Sequence, residues 1–245
     1  RGIASQISQY VSQFVGNFTT AINPQITKNY AEGKITEMHI LVCRSARFSF
    51  FLILMVGLPI ICEAEIILRI WLGSVPQYAV IFVQLSLILG MLDCIGNSGF
   101  IACMATGKLK KYAFVITSIA CLEFPLSWLF FKFGFSVVSS YYLYIVVKST
   151  VLVARMYLLQ DMVDLKVKMY IQQVFIPIIS TSIVAILPSI LIVNFIEPSF
   201  ARLVLSGFIG IISVALSVLY IGMTKNERVV IIQKAIELKT RIIKK

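Results

Sequence analysis

Residues 79–104 read AVIFVQLSLILGMLDCIGNSGFIACM, 26 residues with a single charge, Asp93. A helix of about 20 such residues crosses the roughly 30 Å hydrocarbon core of a bilayer. Comparable runs recur along the chain, and they fix the class of fold. In lipid every backbone N–H and C=O must be met internally, so apolar runs of this length can only be helices. Seven candidate spans follow, at about 3–22, 48–67, 79–104, 112–131, 137–159, 175–196 and 203–223. Apolar residues make up 59% of the 245 and charged ones 13%, well away from the roughly 45–50% and 25% of soluble domains. The connections are short and leave no room for an inserted soluble domain. The expectation is an all-α integral membrane protein, a polytopic helical bundle of about seven transmembrane helices over residues 1–222. A basic amphipathic tail helix is expected over 223–245.

Three spans have local peculiarities. The second contains Pro59 and runs into CEAEIILRIWLG, a tail expected to turn along the interface with Trp71 in the aromatic belt. The sixth holds Pro177 and Pro188 and is expected to kink. The first, around SQISQYVSQFVGNF at 5–18, has helical period but an unusual polar face. Gln6, Gln9, Gln13, Asn17 and Thr20 line one side, and Ile7, Val11, Phe14, Phe18 and Ile22 the other. A soluble surface helix would carry Lys and Glu. A helix whose polar side is only amides and hydroxyls fits a water-filled cavity between membrane helices, where those groups bond water or a polar cargo without the cost of a buried charge. Hydrogen bonding between packed helices is the competing account.

Lysine and arginine set an orientation. Seventeen fall on one side of the seven spans, including Lys28, Lys34, Arg44, Arg47, Lys108, Lys110, Lys111, Arg155, Lys166, Lys168 and seven in the tail, against Arg1, Arg69, Lys132 and Arg202 on the other. The positive-inside rule then places the C-terminus in the cytoplasm and the N-terminus outside. The net charge of +11 reads as a cytoplasmic face meeting anionic lipid rather than as a nucleic-acid surface. A chain that begins with Arg1 and enters from outside is expected to be the C-terminal part of a longer protein.

Catalytic chemistry is sparse. The single histidine, His39, lies in a charged stretch and is expected to be solvated. Cys43, Cys62, Cys94, Cys103 and Cys121 show no metal spacing and read as small apolar packers. No phosphate-binding GxxxxGK[ST] loop occurs. An enzyme is not expected, nor a metal or other cofactor. The informative groups are charges at membrane depth, each costing on the order of 2.5–3.5 kcal/mol there and so marking a pathway or a buried pair. They are Asp93, Glu123 and Lys148. Asp93 shares a helical face with Ser86, Gly90 and Asn97, and Lys148 shares one with Tyr141, Tyr144 and Arg155. Lys148 is expected to neutralise one or both acids, to line a wet cavity, or to do both.

The stretch RGIASQISQYVSQFVGNFTTAINPQITKNYAEGK, followed in order by RSARFSFFLILMVGLPIICE, WLGSVPQY and ATGKLKKY, resembles the second lobe of bacterial polysaccharide flippases. These form the O-antigen (Wzx-type) branch of the multidrug/oligosaccharidyl-lipid/polysaccharide exporter superfamily. The resemblance covers about the first 135 residues; beyond them only hydropathy continues it. It implies one lobe, plus extra C-terminal helices, of a MATE-like transporter, with an N-terminal lobe elsewhere in the protein. It implies alternating access in the bacterial cytoplasmic membrane, with an undecaprenyl-diphosphate-linked oligosaccharide as cargo and polysaccharide assembly proteins as neighbours. Two positions depart from the family pattern: Glu123 stands in place of a neutral polar residue, and Gly99 in place of a common proline. No coupling role is therefore taken from the family for Glu123. It and Asp93 stand as ion-coupling candidates only as carboxyls at membrane depth. For such a cargo, Lys148 and Arg155 suit the diphosphate, Gln6, Gln9, Gln13 and Asn17 the sugar hydroxyls, and Tyr141 and Tyr144 the pyranose faces. The alternatives are a cation-coupled drug antiporter of the same superfamily, a membrane polysaccharide polymerase or ligase, and a non-transporting structural membrane protein. A polymerase or ligase would need a long outer loop, and none here exceeds about 15 residues.

Overall fold

The computed structural model describes residues 2–230 and 233, without the side chains of residues 3–5, 8, 12, 14, 15 and 17. Among these residues there is no strand. The helices are α1 (Gly2–Ala31), α2 (Ile35–Cys62), α3 (Ala64–Leu72), α4 (Ala79–Ala105), α5 (Leu109–Cys121), α6 (Glu123–Lys132), α7 (Ser139–Val163), α8 (Val167–Tyr170), α9 (Ile176–Phe195) and α10 (Phe200–Ser217). π-helical turns at Ile171–Phe175 and Val218–Gly222 join α8 to α9 and end α10. The tail is helical over 225–230 and at 233. The rest of the expected tail helix lies outside the described residues.

Six helical stretches are long and apolar enough to cross a membrane, among the described residues: Ile35–Cys62, Ala79–Ala105, Leu109–Lys132, Ser139–Val163, Val167–Phe195 and Phe200–Gly222. They correspond to the second to seventh expected spans. α1 is long enough, at 30 residues, but its amide-rich face keeps it out of this set.

The second span differs most from expectation. Its helix starts at Ile35 rather than near 48, so Arg44 and Arg47 lie inside α2 and not in a loop. It breaks at Glu63, one turn after Pro59, and α3 continues separately with Trp71 exposed. The fourth span also breaks, at Leu122. Pro125 has no N–H to give the Cys121 carbonyl, which is reason enough for an interruption there. In the sixth, Pro177 removes the amide that would meet the Gln173 carbonyl. The chain answers with the π turn, and Arg47 Nη1 donates to that carbonyl instead at 3.1 Å.

Gly33 and Gly107 adopt φ of 72° and 71°, a region open to glycine because it has no Cβ.

The helix α4 lies at the centre, packed on α1, α2 and α7. α2 carries the α9–α10 hairpin on its far side, and α7 carries α5 and α6 at the opposite edge. The core is built from Met38, Val42, Ala46, Ile53 and Leu54 of α2 with Val83, Leu87 and Ala102 of α4. Small residues let the helices close up, as is usual in membrane bundles. Ser98 Oγ donates to Ser45 Oγ at 2.8 Å with both residues fully buried, and Leu159 of α7 packs against bare Gly99.

Candidate functional site

Between α1, α4 and α7 lies a cavity of about 340 Å³, lined by Gly16, Thr19, Gly90, Asp93, Cys94, Asn97, Phe100 and Arg155. It brings together two of the stripes read from the sequence. The α4 stripe supplies Gly90, Asp93 and Asn97, and α7 supplies Arg155. Arg155 lies two turns inside α7, not in a loop as the basic-residue tally had it.

Just beside this cavity, Lys148 Nζ pairs with Asp93, 2.8 Å from Oδ1 and 3.1 Å from Oδ2. The lysine is the more sheltered partner, its side chain 24% exposed against 51% for the aspartate. Its ammonium sits 5.2 Å from the ring centre of Tyr144, a favourable arrangement for a cation over an aromatic face. On a wet surface such an ion pair is worth at most about 1 kcal/mol. At bilayer depth it spares two charges from facing lipid alone. Of the two acids the sequence offered, only Asp93 meets Lys148. Glu123 lines a separate cavity of about 610 Å³ with Cys121, Phe124, Ser127, Phe131 and Ser140.

The remaining expected site residues divide. Gln6, Gln9 and Gln13 are exposed, and Val11 on the opposite face is buried. The residues of α1 that reach the cavity are Gly16 and Thr19, with Gly16 one turn on from Gln13, so the amide stripe adjoins the cavity rather than lining it. The side chain of Asn17 lies outside the described set. Thr19 is buried, and Asn97 Nδ2 reaches its Oγ1 at 3.5 Å. Tyr141 is half-buried against the Phe82 ring, centroids 4.9 Å apart.

Two buried ion pairs escaped the sequence reading. Near one end of the bundle Arg202 Nη2 donates to Glu63 Oε2 at 2.9 Å, and its Nη1 donates to the Ile196 carbonyl, also at 2.9 Å. Near the other end Arg47 Nη2 donates to both oxygens of Glu227, at 2.6 and 2.5 Å, and Arg44 Nε adds a bond at 2.8 Å. A signal for Glu227's own placement, though not for its partner Arg47, was present. Thr224 and Glu227 have the spacing of a helix capping box, and the Thr224 amide donates to Glu227 Oε2 while the Glu227 amide donates to Thr224 Oγ1. Burial works against the Glu227 carboxylate, but the Thr224 amide and the two arginines outweigh it and hold its pKa below the usual glutamate range. His39, expected in solvent, is half-buried, with Nε2 2.6 Å from the Val163 carbonyl. The five cysteines are free: Cys43 and Cys103 are buried as expected of packers, Cys62 and Cys94 are half-buried, and Cys121 is exposed. Among the described residues no cluster of His, Cys, Asp and Glu could hold a metal ion.

No protein-family model, no curated protein and no solved structure matches this chain.

Proposed function

We propose that this chain forms one lobe of a flippase in the bacterial cytoplasmic membrane. It would move lipid-diphosphate-linked oligosaccharide across the bilayer by alternating access, with its C-terminus on the cytoplasmic side. The observation that carries this reading is Arg155, a cation paired with no acid among the described residues, in an open cavity lined by α4 and α7, both long and apolar enough to cross a membrane. Such a charge is costly unless something anionic visits it. The cargo's diphosphate suits that guanidinium, since arginine's planar fork matches phosphate oxygens. Its sugars suit the uncharged amides of α1 beside the cavity and the rings of Tyr141 and Tyr144. Its undecaprenyl tail can stay in the lipid alongside the helices. By the sequence resemblance, a second lobe of the same protein would close the path, and polysaccharide assembly proteins would deliver and receive the cargo. A drug antiporter would want an uncompensated acid in the cavity, whereas Asp93 is matched by Lys148.

The test is complementation of a flippase-deleted strain with the full-length protein, scoring surface polysaccharide beside membrane protein level. Arg155→Gln should abolish surface polysaccharide while the protein still accumulates. Wild-type polysaccharide from the Arg155→Gln strain would end this reading.

A further inference from the structure

Asp93 and Arg155 face one cavity from neighbouring helices, yet they do not pair. Opposite charges at membrane depth attract strongly, and arginine with a carboxylate makes the better, bidentate pair. Two features keep them apart. Lys148 engages both carboxylate oxygens of Asp93. On the other side, Gly96 of α4 gives the guanidinium a seat on bare backbone. A methyl group on Gly96 would collide with Arg155 Nη1 and lie 3.1 Å from Cζ and 3.2 Å from Cδ. Nε of Arg155 is sealed and without a hydrogen-bond partner, and the Tyr112 hydroxyl lies beside the guanidinium.

We infer that Lys148 and Gly96 are positioning residues for Arg155. Lys148 occupies Asp93, Gly96 seats the guanidinium, and together they leave Arg155, which has no acid partner among the described residues, free to receive a phosphate-bearing anion. Lys148 then acts through Asp93 and not by touching the cargo. Without Lys148, Asp93 closes onto Arg155 and the cavity loses its positive field. Removing the charge of Asp93 as well restores that field. The identity of the anion rests on the flippase reading; the arrangement of charge does not.

The cavity carries its own reporter, Cys94. In the purified full chain in nanodiscs, with Cys43, Cys62, Cys103 and Cys121 changed to alanine, the rates of Cys94 labelling by an anionic and a cationic methanethiosulfonate are compared. Their ratio reads the local field independently of thiol reactivity. The anionic reagent should be favoured in the parent. Lys148→Ala should cut the ratio at least about fivefold, the scale of one unit charge a few ångströms away. Lys148→Ala with Asp93→Asn should return the ratio to the parent value, and Asp93→Asn alone should raise it. Gly96→Ala, which alters no charge, should lower it. Inorganic pyrophosphate should slow anionic labelling in the parent and not in Arg155→Gln. An unchanged ratio in Lys148→Ala overturns the inference, as does an equal fall in the single and double variants. So does a Cys94 that neither reagent labels until the protein is denatured, since the cavity is then dry. The Lys148 and Asp93 series decides the matter even if Gly96→Ala fails to insert. A labelling pattern as expected, with normal complementation by Arg155→Gln, would remove the flippase reading and leave this one standing.

Discussion

Arg47 of α2 and Glu227, 180 residues further along, share a buried contact of 2.5–2.6 Å to both carboxylate oxygens. The same guanidinium donates to the Gln173 carbonyl that Pro177 leaves without its helical amide. One side chain thus ties α2 to the π turn before α9 and to the capping residue of the tail helix. At the other end Glu63 and Arg202 tie the break after α2 to the start of α10. The α9–α10 hairpin is therefore pinned to α2 by an ion pair near each end, away from the cavity between α1, α4 and α7.

Breaking the first of these pins should be costly and pH-dependent. Arg47→Met leaves the Glu227 carboxylate with only Arg44 and the Thr224 amide and leaves the Gln173 carbonyl unmet, a loss below the roughly 3–5 kcal/mol of a fully stranded buried charge but on the order of 2 kcal/mol. It should lower the melting temperature in detergent by far more than Lys28→Met, whose lysine is exposed. Because the pKa of Glu227 is depressed on folding, its contribution is fully present above the unfolded glutamate value of about 4.3 and is lost as pH falls through the lower folded value. The stability difference between wild type and Glu227→Gln should hold steady from pH 7 to about 5 and shrink below about 4. A difference that grows on acidification would contradict the assignment.

Glu63 and Arg202 permit a sharper comparison. Glu63 is 1% exposed, and its Oε1 has no hydrogen-bond partner. Arg202→Met alone should destabilise strongly by stranding that charge, whereas Arg202→Met with Glu63→Leu should recover much of the loss, since a buried pair often does little better than apolar residues of similar size. Thermal unfolding of the three proteins measures this. Recovery will be incomplete, because Arg202 also satisfies the Ile196 carbonyl.

The helix order places Ser74, Phe135 and Pro198 at one end of the bundle and Glu32, Lys108 and Lys166 at the other, all exposed. Single cysteines at the first three should react with a membrane-impermeant thiol reagent in intact spheroplasts. Those at the second three should react only after lysis. Labelling at 108 or 166 without lysis would reverse the orientation.

Along α1, cysteines replacing Gln6, Gln9 and Gln13 should react with a small aqueous thiol reagent in the full-length protein, and one replacing Val11 should not. Equal rates on both faces would mean that the amides are packed against other helices rather than wetted.

Much of this molecule is local chemistry and is written in the chain. Apolar runs such as 79–104 force helices because lipid offers backbone groups no other partner. Gly33 and Gly107 mark reversals because their positive φ suits glycine, and the Pro177 interruption follows from a missing amide. The burial of Val11 opposite exposed Gln9 and Gln13 was legible from helical period alone. Partnership was not. Asp93 and Glu123 looked equivalent as partners for Lys148, and the choice depended on α4, rather than α6, presenting its acid to that turn of α7. Lys148 and Arg155 shared one stripe and both suited a diphosphate. The bare backbone of Gly96 and the reach of Asp93 separate them, leaving one neutralised and the other open. Glu63 with Arg202 and Arg47 with Glu227 join residues 139 and 180 positions apart. No period or motif encodes such distances, because they arise only when α9 and α10 fold back onto α2 and desolvation makes each buried charge depend on the other.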